Sequence, residues 1–270
     1  MKIAFCFLTQ SDVLHPGIWR AFFADAPADR FNIYCHAKTP GGITGSFLAG
    51  KIIREYVPTQ HGHISIVAAS LALFDAAFAD DAENAYFILL SESTIPIVPF
   101  AVIRDELALC DARSLVSFSV PPPRSEHHAR LEAVANNEIF TRAFYAHDQW
   151  VVLHRRHVEA LRGRSYLTRF AQVFAADEHY FMNVLVNAQH VPLDQFINRR
   201  TTFVNWQERE IRRRIHRETG RILSETVHPK TYRSLSAADL ETAEDAWFFR
   251  KVAASCDCDV VLERLRAPRE

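Results

Sequence analysis

Glycine is scarce in this chain, with eight residues in 270, and the glycine-rich phosphate loops of common nucleotide-binding folds are missing. Neither G-x-G-x-x-G nor G-x-x-x-x-G-K-[ST] occurs, which argues against a Rossmann dinucleotide fold and against a P-loop. The G-x-S-x-G elbow is also absent, which argues against an α/β-hydrolase.

Cysteine is also sparse, and its pattern predicts no disulfide framework. The number is odd and no C-x-x-C pair occurs, so a reducing compartment is the simplest interpretation. Two of the cysteines lie in apolar, strand-like runs, where a thiol usually acts as a small buried hydrophobe. The five residues are Cys6, Cys35, Cys110, Cys256 and Cys258.

Excess charge and long apolar runs are lacking as well. The formal net charge is -1, so no global field attracts nucleic acid or an anionic membrane. No apolar segment approaches the roughly 18 residues that span a bilayer, and residues 1–10 lack the cleavage site of a secretion signal. We therefore expect a cytoplasmic protein, with peripheral association at the inner face of the membrane left open.

Apolar runs alternate with helical segments in the first third of the chain. Residues 2–8, 31–36 and 86–90 have the composition of buried strands, and residues 64–79 have the length and alanine content of a helix. A further helix is expected near Pro16–Ala24. Strands separated by helices predict an α/β fold with a mainly parallel central sheet flanked by helices.

Polar residues follow each of these three strands. They are Thr9-Gln10-Ser11, His36-Ala37-Lys38 and Ser91-Glu92-Ser93. Because the carboxyl ends of parallel strands meet at one edge, we expect the functional loops there.

The rest of the chain shows no linker or repeat, so we expect one domain over residues 1–270. Residues 114–120 and 149–155 have strand-like patterns, as has the 201–206 segment. Residues 207–221 are predicted to form a charged helix. Its basic run, 212–217, could bind phosphates, but acidic neighbours favour a solvated helix face with i,i+4 pairs.

Metal ligands at a workable spacing are few. His61 and His63 form one candidate pair, and Asp257-Cys258-Asp259 matches the Asp-x-Asp pattern with which many sugar-nucleotide transferases hold a divalent cation. In those enzymes the pattern follows a buried strand in mid-domain, whereas here it lies near the C-terminus. We expect no metal site.

The segment FAADEHYF, residues 174–181, presents two adjacent carboxylates before an apolar helical face. Asp177 suits a helix N-cap, and Glu178 suits the first turn, where the helix dipole favours negative charge. An acid/base pair in a cleft and half of a metal site are the alternatives. His179 is expected to pack rather than to react.

Six segments in this order resemble the core-2/I-branching β-N-acetylglucosaminyltransferase family, glycosyltransferase family 14, which includes peptide O-xylosyltransferases. They are FILLSESTIPI (87–97), DQWVVLHRR (148–156), ADEHYF (176–181), TTFVNW (201–206), HPKTY (228–232) and WFFRK (247–251). The resemblance runs from the first strand to Lys251. It implies a GT-A-type fold, with a nucleotide-sugar half at 1–120 and an acceptor and catalytic half at 121–270.

The resemblance also implies an activity: inverting, metal-independent transfer of a sugar from a UDP-sugar to a hydroxyl of a glycan or glycolipid. N-acetylglucosamine and xylose are the donor sugars that it suggests, and a bacterial surface polysaccharide is the expected product. A non-catalytic protein that binds sugar nucleotides or glycans in a polysaccharide assembly complex is the alternative.

Residue roles follow from the resemblance by register. Glu178 is the implied catalytic base, and Lys230 and Lys251 are the implied cations at the UDP diphosphate, with Arg250 and Arg233 able to share that task. One carboxylate suffices for an inverting displacement, because no covalent sugar–enzyme intermediate forms.

The strand-end loops are the implied donor pocket. Thr9, Gln10 and His36 are assigned to the nucleoside, although relatives often carry an acidic residue where this chain has His36-Ala37-Lys38. Ser91, Glu92 and Ser93 are assigned to the donor sugar or the acceptor. Trp150 and Asp177 are assigned to the acceptor side, and Trp150 is equally interpretable as a buried core residue.

Overall fold

The computed structural model describes residues 1–43, 47–135, 143–163, 165–215, 222–243 and 245–266. The strands in these ranges are β1 (Lys2–Thr9), β2 (Phe31–Ala37), β3 (Asn84–Ser91), β4 (Ile95–Pro96), β5 (Ser114–Leu115), β6 (Phe118–Ser119), β7 (Ala146–His147), β8 (Val152–His154), β9 (Phe196–Ile197), β10 (Thr202–Val204), β11 (Glu210–Ile215), β12 (Ile222–His228), β13 (Tyr232–Ser234), β14 (Phe248–Arg250) and β15 (Val252–Asp257). The α-helices are α1 (Pro16–Ala24), α2 (Ser65–Asp80), α3 (Phe100–Ala108), α4 (Glu126–Ala135), α5 (Arg155–Leu161), α6 (Tyr180–Asn183), α7 (Ala237–Glu241) and α8 (Asp259–Arg266).

The central sheet has six strands in the order β2-β1-β3-β8-β5-β9. β1 pairs in parallel with both β2 and β3. β8 is antiparallel to its two neighbours, and β5 pairs in parallel with β9. One reversed strand in a parallel sheet confirms the predicted α/β fold with a mainly parallel sheet.

Both faces of this sheet are covered, which explains why its inner strands are continuous apolar runs. On β1, Phe5 and Phe7 pack into the core with Trp19 of α1, whereas Ala4 and Cys6 face the core that contains Phe74 of α2. The polar groups after β1, β2 and β3 therefore emerge at one edge, where the apolar layers end.

A second sheet brings the C-terminal part of the chain to that edge. β14 lies between β10 and β4, with Arg250 opposite Val204. The next strand, β15, begins with a hydrogen bond from the Val252 amide to the Ser93 carbonyl, 3.0 Å long. Residues 250–252 therefore lie beside the loop that follows β3.

The predicted charged helix is wrong over 207–215, the part of the segment that the structure describes. β11 and β12 form an antiparallel hairpin instead, in which Arg213 opposes Glu225 and their side chains meet at 2.6 Å. The rest of the predicted helix, 216–221, which includes the end of the basic run, lies outside the described residues. A cross-strand charge pair thus takes the place of the expected i,i+4 pairs, and Ile211 opposite Val227 adds the β-branched pairing that favours strands.

The run at 114–120 also differs from its prediction, because it divides into β5 and β6, which belong to different sheets. All five cysteines are buried and free, as the sequence suggests. Within the described ranges, no helix combines the length and the apolar character that a membrane span requires.

Candidate functional site

The acidic pair lies in a 3-10 turn, Ala176–Glu178, that precedes α6. The turn starts from Ala175, whose φ of 52° is left-handed, and the Ala175 amide donates to the Gly62 carbonyl at 2.9 Å. The prediction that Asp177 caps a helix is wrong, since α6 begins after His179 and no side chain caps it. The extra turn displaces the helix start and leaves both carboxylates free for other partners.

Asp177 lies in an environment that disfavours its charge. Its Oδ1 is buried without a hydrogen-bond partner among the described residues. Burial, and then the nearby Glu178 carboxylate, raise the pKa of Asp177 to about 7, against the opposing charges of Arg130 and Arg250. Leaving such an acceptor unpaired costs about 1–3 kcal/mol, so the position has a stability cost that capping does not explain.

Glu178 forms an ion pair with Arg130 of α4. Arg130 Nη1 lies 3.0 Å from Glu178 Oε2, and the two side chains are 16% and 29% exposed. Burial raises the pKa of Glu178, while the Arg130 charge acts in the opposite direction and does not cancel the rise. Arg130 also pairs with Glu126 and lies over the Phe174 ring at 5.0 Å. The sequence analysis missed Arg130, for which the i,i+4 spacing from Glu126 was the only signal.

Two buried neutral histidines, His147 and His179, hold the backbone at this turn and at the start of α6 through hydrogen bonds. His179 is fully buried; its Nδ1 donates to the Ala175 carbonyl at 3.0 Å, so its Nε2 accepts from His127 Nδ1 at 3.0 Å. His147 Nε2 accepts from the Phe181 amide at 3.1 Å. Burial lowers the pKa of His179 to about 3 and that of His147 to about 4. His179 is thus a packing residue, as expected.

Arg250, at the end of β14, lies near Asp177 of the acidic turn. Its guanidinium lies 4.2 Å from the centroid of the Trp150 ring, and its Nε is buried with no partner among the described residues. Burial lowers the pKa of Arg250 to about 10, while the charges of Glu92 and Asp177 oppose that shift. Trp150 is 7% exposed and belongs to the core. The core interpretation of Trp150 therefore describes its position, and its ring supports Arg250.

Lys251 follows Arg250 in the chain, and its charge lies near His61 in the loop before α2. Its charge adds to burial in lowering the pKa of His61, whose ring lies 5.7 Å from that of His228. The Lys251 carbonyl accepts from the Tyr232 amide at 2.8 Å, which ties β13 to the same region. His61 and His228 were not assigned here from the sequence, because only the fold brings them together.

The other two predicted cations, Lys230 and Arg233, have surroundings that differ from those of Arg250 and Lys251. Lys230 Nζ lies 2.8 Å from Glu208 and 4.5 Å from the centroid of the Tyr232 ring. Arg233 is exposed on β13, on the opposite side from the buried Tyr232. A phosphate would compete with Glu208 for the Lys230 ammonium, and Arg233 is exposed to solvent.

A separate pocket is lined by the end of β2 and by residues 52–56, and Thr9 and Gln10 are not among its lining residues. His36 is buried, its Nε2 accepts from the Val57 amide at 3.0 Å, and its ring stacks on Tyr56 with 5.8 Å between centroids. Arg54 and Pro40 are among the other lining residues. The Thr9 hydroxyl donates within the loop to the Ser11 carbonyl at 2.6 Å. Sequence reasoning missed Tyr56 and Arg54, because both lie in a segment without regular structure.

Gln10 is exposed, and its carbonyl accepts from the Thr39 amide at 2.7 Å. In the loop after β3, the Ser91 hydroxyl bonds to those of Ser93 (3.3 Å) and Thr94 (2.9 Å), so the two serines serve an internal network. Glu92 lies near Arg250, and its negative charge opposes the lowering of the Arg250 pKa by burial.

The Asp-x-Asp candidate lies apart from these groups. Cys258 between its two aspartates is buried and approaches His15 Nδ1 at 3.8 Å, and Asp259 begins α8. In the part of the chain that the structure describes, no group of three or more His, Cys, Asp or Glu residues is arranged to hold a metal ion.

Comparison with known proteins gives a family model that matches most of the chain. The family model described as "Branch: Core-2/I-Branching enzyme" matches residues 3–244. No curated protein matches the sequence. Among solved structures, the chain is similar to the galactosyltransferase LgtC, crystallised in complex with donor and acceptor sugar analogs, with a TM-score of 0.40 and 14% identity over 74% of this chain and 75% of that chain.

Proposed function

Since the chain belongs to the core-2/I-branching enzyme family, a family of glycosyltransferases, we propose that it transfers a sugar from a UDP-sugar to a hydroxyl of a glycan or glycolipid, with inversion and without a metal. One observation carries the proposal. Arg250 lies close enough to the acidic turn for its charge and that of Asp177 to act on each other's pKa. Lys251, next in the chain, acts on the pKa of His61, which is the neighbour of the Gly62 whose carbonyl holds the turn. We place the activity in bacterial surface polysaccharide synthesis at the cytoplasmic side of the membrane.

In this mechanism Glu178 acts as the base. The acceptor hydroxyl attacks the anomeric carbon as UDP leaves, and its proton passes to a Glu178 oxygen within about 2.6–3.2 Å. A base must be ionised yet still basic, and both requirements are served here: burial raises the pKa of Glu178, and Arg130 limits the rise. The second oxygen, Oε1, is the one left for the acceptor, because Oε2 holds Arg130.

The leaving diphosphate gains negative charge in the transition state, so fixed cations lower the barrier. Lys251 is the first candidate, with Lys230 joining it after release from Glu208. Each such contact contributes about 2–4 kcal/mol, by analogy with deleted oxyanion donors. Two cations in these positions supply charge that a divalent metal supplies in other transferases.

The nucleoside fits the pocket beside β2. Tyr56 is 54% exposed and offers an aromatic surface, and Arg54 and the edge of His36 supply polar contacts. This pocket lies at the carboxyl end of the sheet, where nucleotides bind in α/β proteins. Glu55 also lines this pocket and supplies there the acidic group that residues 36–38 lack.

A second candidate is a binding protein without turnover. The observation in its favour is that Glu178 and Lys230 are both engaged in ion pairs, with Arg130 and Glu208. The two functions differ in one result: hydrolysis or transfer of the donor occurs only in the enzyme.

The deciding experiment is a screen of UDP-sugars, including UDP-N-acetylglucosamine and UDP-xylose, for binding and slow hydrolysis with and without EDTA. We expect micromolar binding of UDP and of at least one UDP-sugar, weaker binding of GDP, and no effect of EDTA. Loss of activity in EDTA would refute metal independence, and the variant Asp257→Asn then tests the Asp-x-Asp segment. Binding without hydrolysis or transfer would support the second candidate.

A further inference from the structure

The hairpin of β11 and β12 exposes an aliphatic pair on one face. Ile211 and Val227 lie opposite each other, and they are 56% and 47% exposed. Side chains alternate along a strand, so Arg213 and Glu225, two positions further along, lie on the same face. These four residues are called the hairpin face below. It presents exposed apolar groups directly beside a charge pair.

No third strand extends this hairpin. In the described part of the chain, β11 and β12 pair only with each other. A two-stranded hairpin is marginally stable in water by itself, and it gains stability when an apolar face is covered. Trp206, shortly before β11, and Ile222, at the start of β12, are exposed as well. Large apolar side chains exposed within one segment mark an interaction surface.

The charge of this segment identifies the partner. In 206–215 and 222–233, Lys and Arg outnumber Asp and Glu by six to three, whereas the formal net charge of the whole chain is -1. A basic segment attracts anions and repels a second copy of itself, which disfavours a dimer through this face. A nucleic acid offers phosphates but no apolar layer for the aliphatic pair. An anionic lipid surface offers both, because its headgroups attract the cations and its interfacial region accepts apolar side chains.

The base of the hairpin lies close to the acidic turn. His228 is the last residue of β12, and its ring lies 5.7 Å from that of His61. The carbonyl of Gly62, the next residue, accepts from the Ala175 amide at 2.9 Å, and this bond holds the turn that carries Glu178. A hairpin docked on a lipid surface therefore stays connected to the proposed base through two contacts.

We propose that the β11–β12 hairpin docks the protein on an anionic lipid surface. The Ile211–Val227 pair enters the interfacial region, and the cations of the segment lie against the headgroups. The inference goes beyond the proposed function and does not depend on it, because it concerns where the protein binds and not which reaction it performs. Where the acceptor is a glycolipid, docking raises the local concentration of acceptor at the site.

The test measures co-sedimentation of the full chain with vesicles of phosphatidylcholine, either pure or containing about 30 mol% phosphatidylglycerol. We expect binding to the anionic vesicles to be at least about tenfold tighter at low salt, and the difference to disappear at about 0.5 M salt, because screening weakens charge attraction. Ile211→Thr combined with Val227→Thr should weaken binding to the anionic vesicles by about tenfold, since threonine keeps the branched shape that strands favour but loses apolar burial. Arg209→Gln combined with Arg213→Gln should reduce the salt dependence.

The controls are Leu109→Ser and Arg104→Gln, because Leu109 is 81% exposed and Arg104 belongs to an exposed ion pair, both outside the hairpin. Both variants should bind the vesicles as the wild type does. Near-UV circular dichroism verifies that each variant is folded. If the double threonine variant folds poorly, the two single variants give the same comparison.

Lipid docking is overturned if the wild type binds neither kind of vesicle, or if the threonine variants bind as tightly as the wild type. Tighter binding to a mixed-sequence oligonucleotide than to the anionic vesicles would overturn it in favour of nucleic acid. A dimer in sedimentation velocity that the threonine variants lose would overturn it in favour of a second copy of the chain. Hydrolysis of a UDP-sugar in solution is measured without lipid, so failure of docking and failure of the proposed function are distinct results.

Discussion

Arg130 Nη1 and Glu178 Oε2 lie 3.0 Å apart, and this contact joins α4 to the acidic turn that we propose as the catalytic centre. The pair leaves Glu178 with one oxygen for an acceptor and sets how readily it takes up a proton. Arg130 also lies over Phe174, which packs against Gly62. The carboxylate is therefore coupled to α4 and to the loop before α2.

Replacing the proposed base tests the reaction directly. Glu178→Gln keeps the size and polarity of the side chain but removes the carboxylate, so we expect kcat to fall by about 10²–10⁴-fold. UDP affinity should stay within about twofold, because the proposed base acts on the acceptor hydroxyl and a carboxylate would repel the diphosphate. Single-turnover rates and titration calorimetry measure the two effects.

The matched control is Glu126→Gln, since Glu126 is the other carboxylate bound to Arg130 and is 77% exposed. It should leave kcat nearly unchanged. Equal losses in the two variants would show that charge near Arg130, and not a base at 178, supports the rate.

Removing the Arg130 charge should change the pH dependence of the reaction. Arg130 lowers the pKa of Glu178, so Arg130→Met should raise that pKa and shift the acidic limb of the kcat profile to higher pH. Arg130→Lys keeps a positive charge and should shift the limb less. An acidic limb at the wild-type position in Arg130→Met would contradict the assignment of this limb to Glu178.

Lys251 should carry more of the UDP affinity than Arg233. Lys251→Gln is expected to weaken UDP binding by about 10–100-fold, because a hydrogen bond to a charged group contributes about 1.5–3 kcal/mol. It should also reduce the salt dependence of binding, whereas Lys251→Arg keeps it. Arg233→Gln, at an exposed position, is the comparison. A larger loss in Arg233→Gln would reverse the order that the structure gives.

Gly62 is the residue at which a single methyl group should disturb the site from a distance. Its φ is +69°, and an added Cβ would overlap Cε2 of the Phe174 ring. Gly62→Ala should therefore lose about 1–2 kcal/mol of stability from backbone strain alone, and displacing Phe174 should lower kcat through Arg130. Urea unfolding and the rate measure both.

Gly17 provides the control for that substitution, because it lies in α1 with no atom within 4 Å of an added Cβ. Gly17→Ala should be neutral or stabilising by up to about 1 kcal/mol. If the two variants have the same free energy of unfolding, the packing of Phe174 on this loop does not contribute to stability.

The buried titratable groups predict how stability varies with pH. His147 and His179 have folded pKa values of about 4 and about 3, below the unfolded value near 6.5, so the unfolded chain binds more protons in acid. The free energy of unfolding should fall as pH drops below about 6.5, by up to about 3 kcal/mol for His147.

Asp177 acts in the opposite direction. Its folded pKa of about 7 exceeds the unfolded value near 4, so the folded chain holds the extra proton and loses stability as pH rises from 4 to 7. Asp177→Asn removes this contribution, and the unfolding free energy at pH 7 minus that at pH 5 should become more positive. Urea titrations at both pH values measure the difference, and an unchanged value would contradict the raised pKa.

The α/β fold was predictable because it depends on local signals. Continuous apolar strands such as β1 and β3, and the alanine-rich α2, are encoded in short segments. The six-stranded sheet confirms the α/β fold with a mainly parallel central sheet, and the family match confirms the resemblance to the core-2/I-branching enzymes. The segment 207–221 was misjudged because its charges fit both a helix face and a hairpin, and cross-strand pairing decided between them.

The sequence by itself determined where the first three buried strands lie along the chain, the polar residues at their ends and the two adjacent carboxylates, because these depend on the composition of short segments. Only the tertiary structure decided which charges meet. Arg130 on Glu178, Arg250 near Asp177 and Lys251 near His61 each join segments far apart in the chain. The energy of a charge depends on its burial and on neighbours within a few ångströms, and neither quantity is written in local sequence.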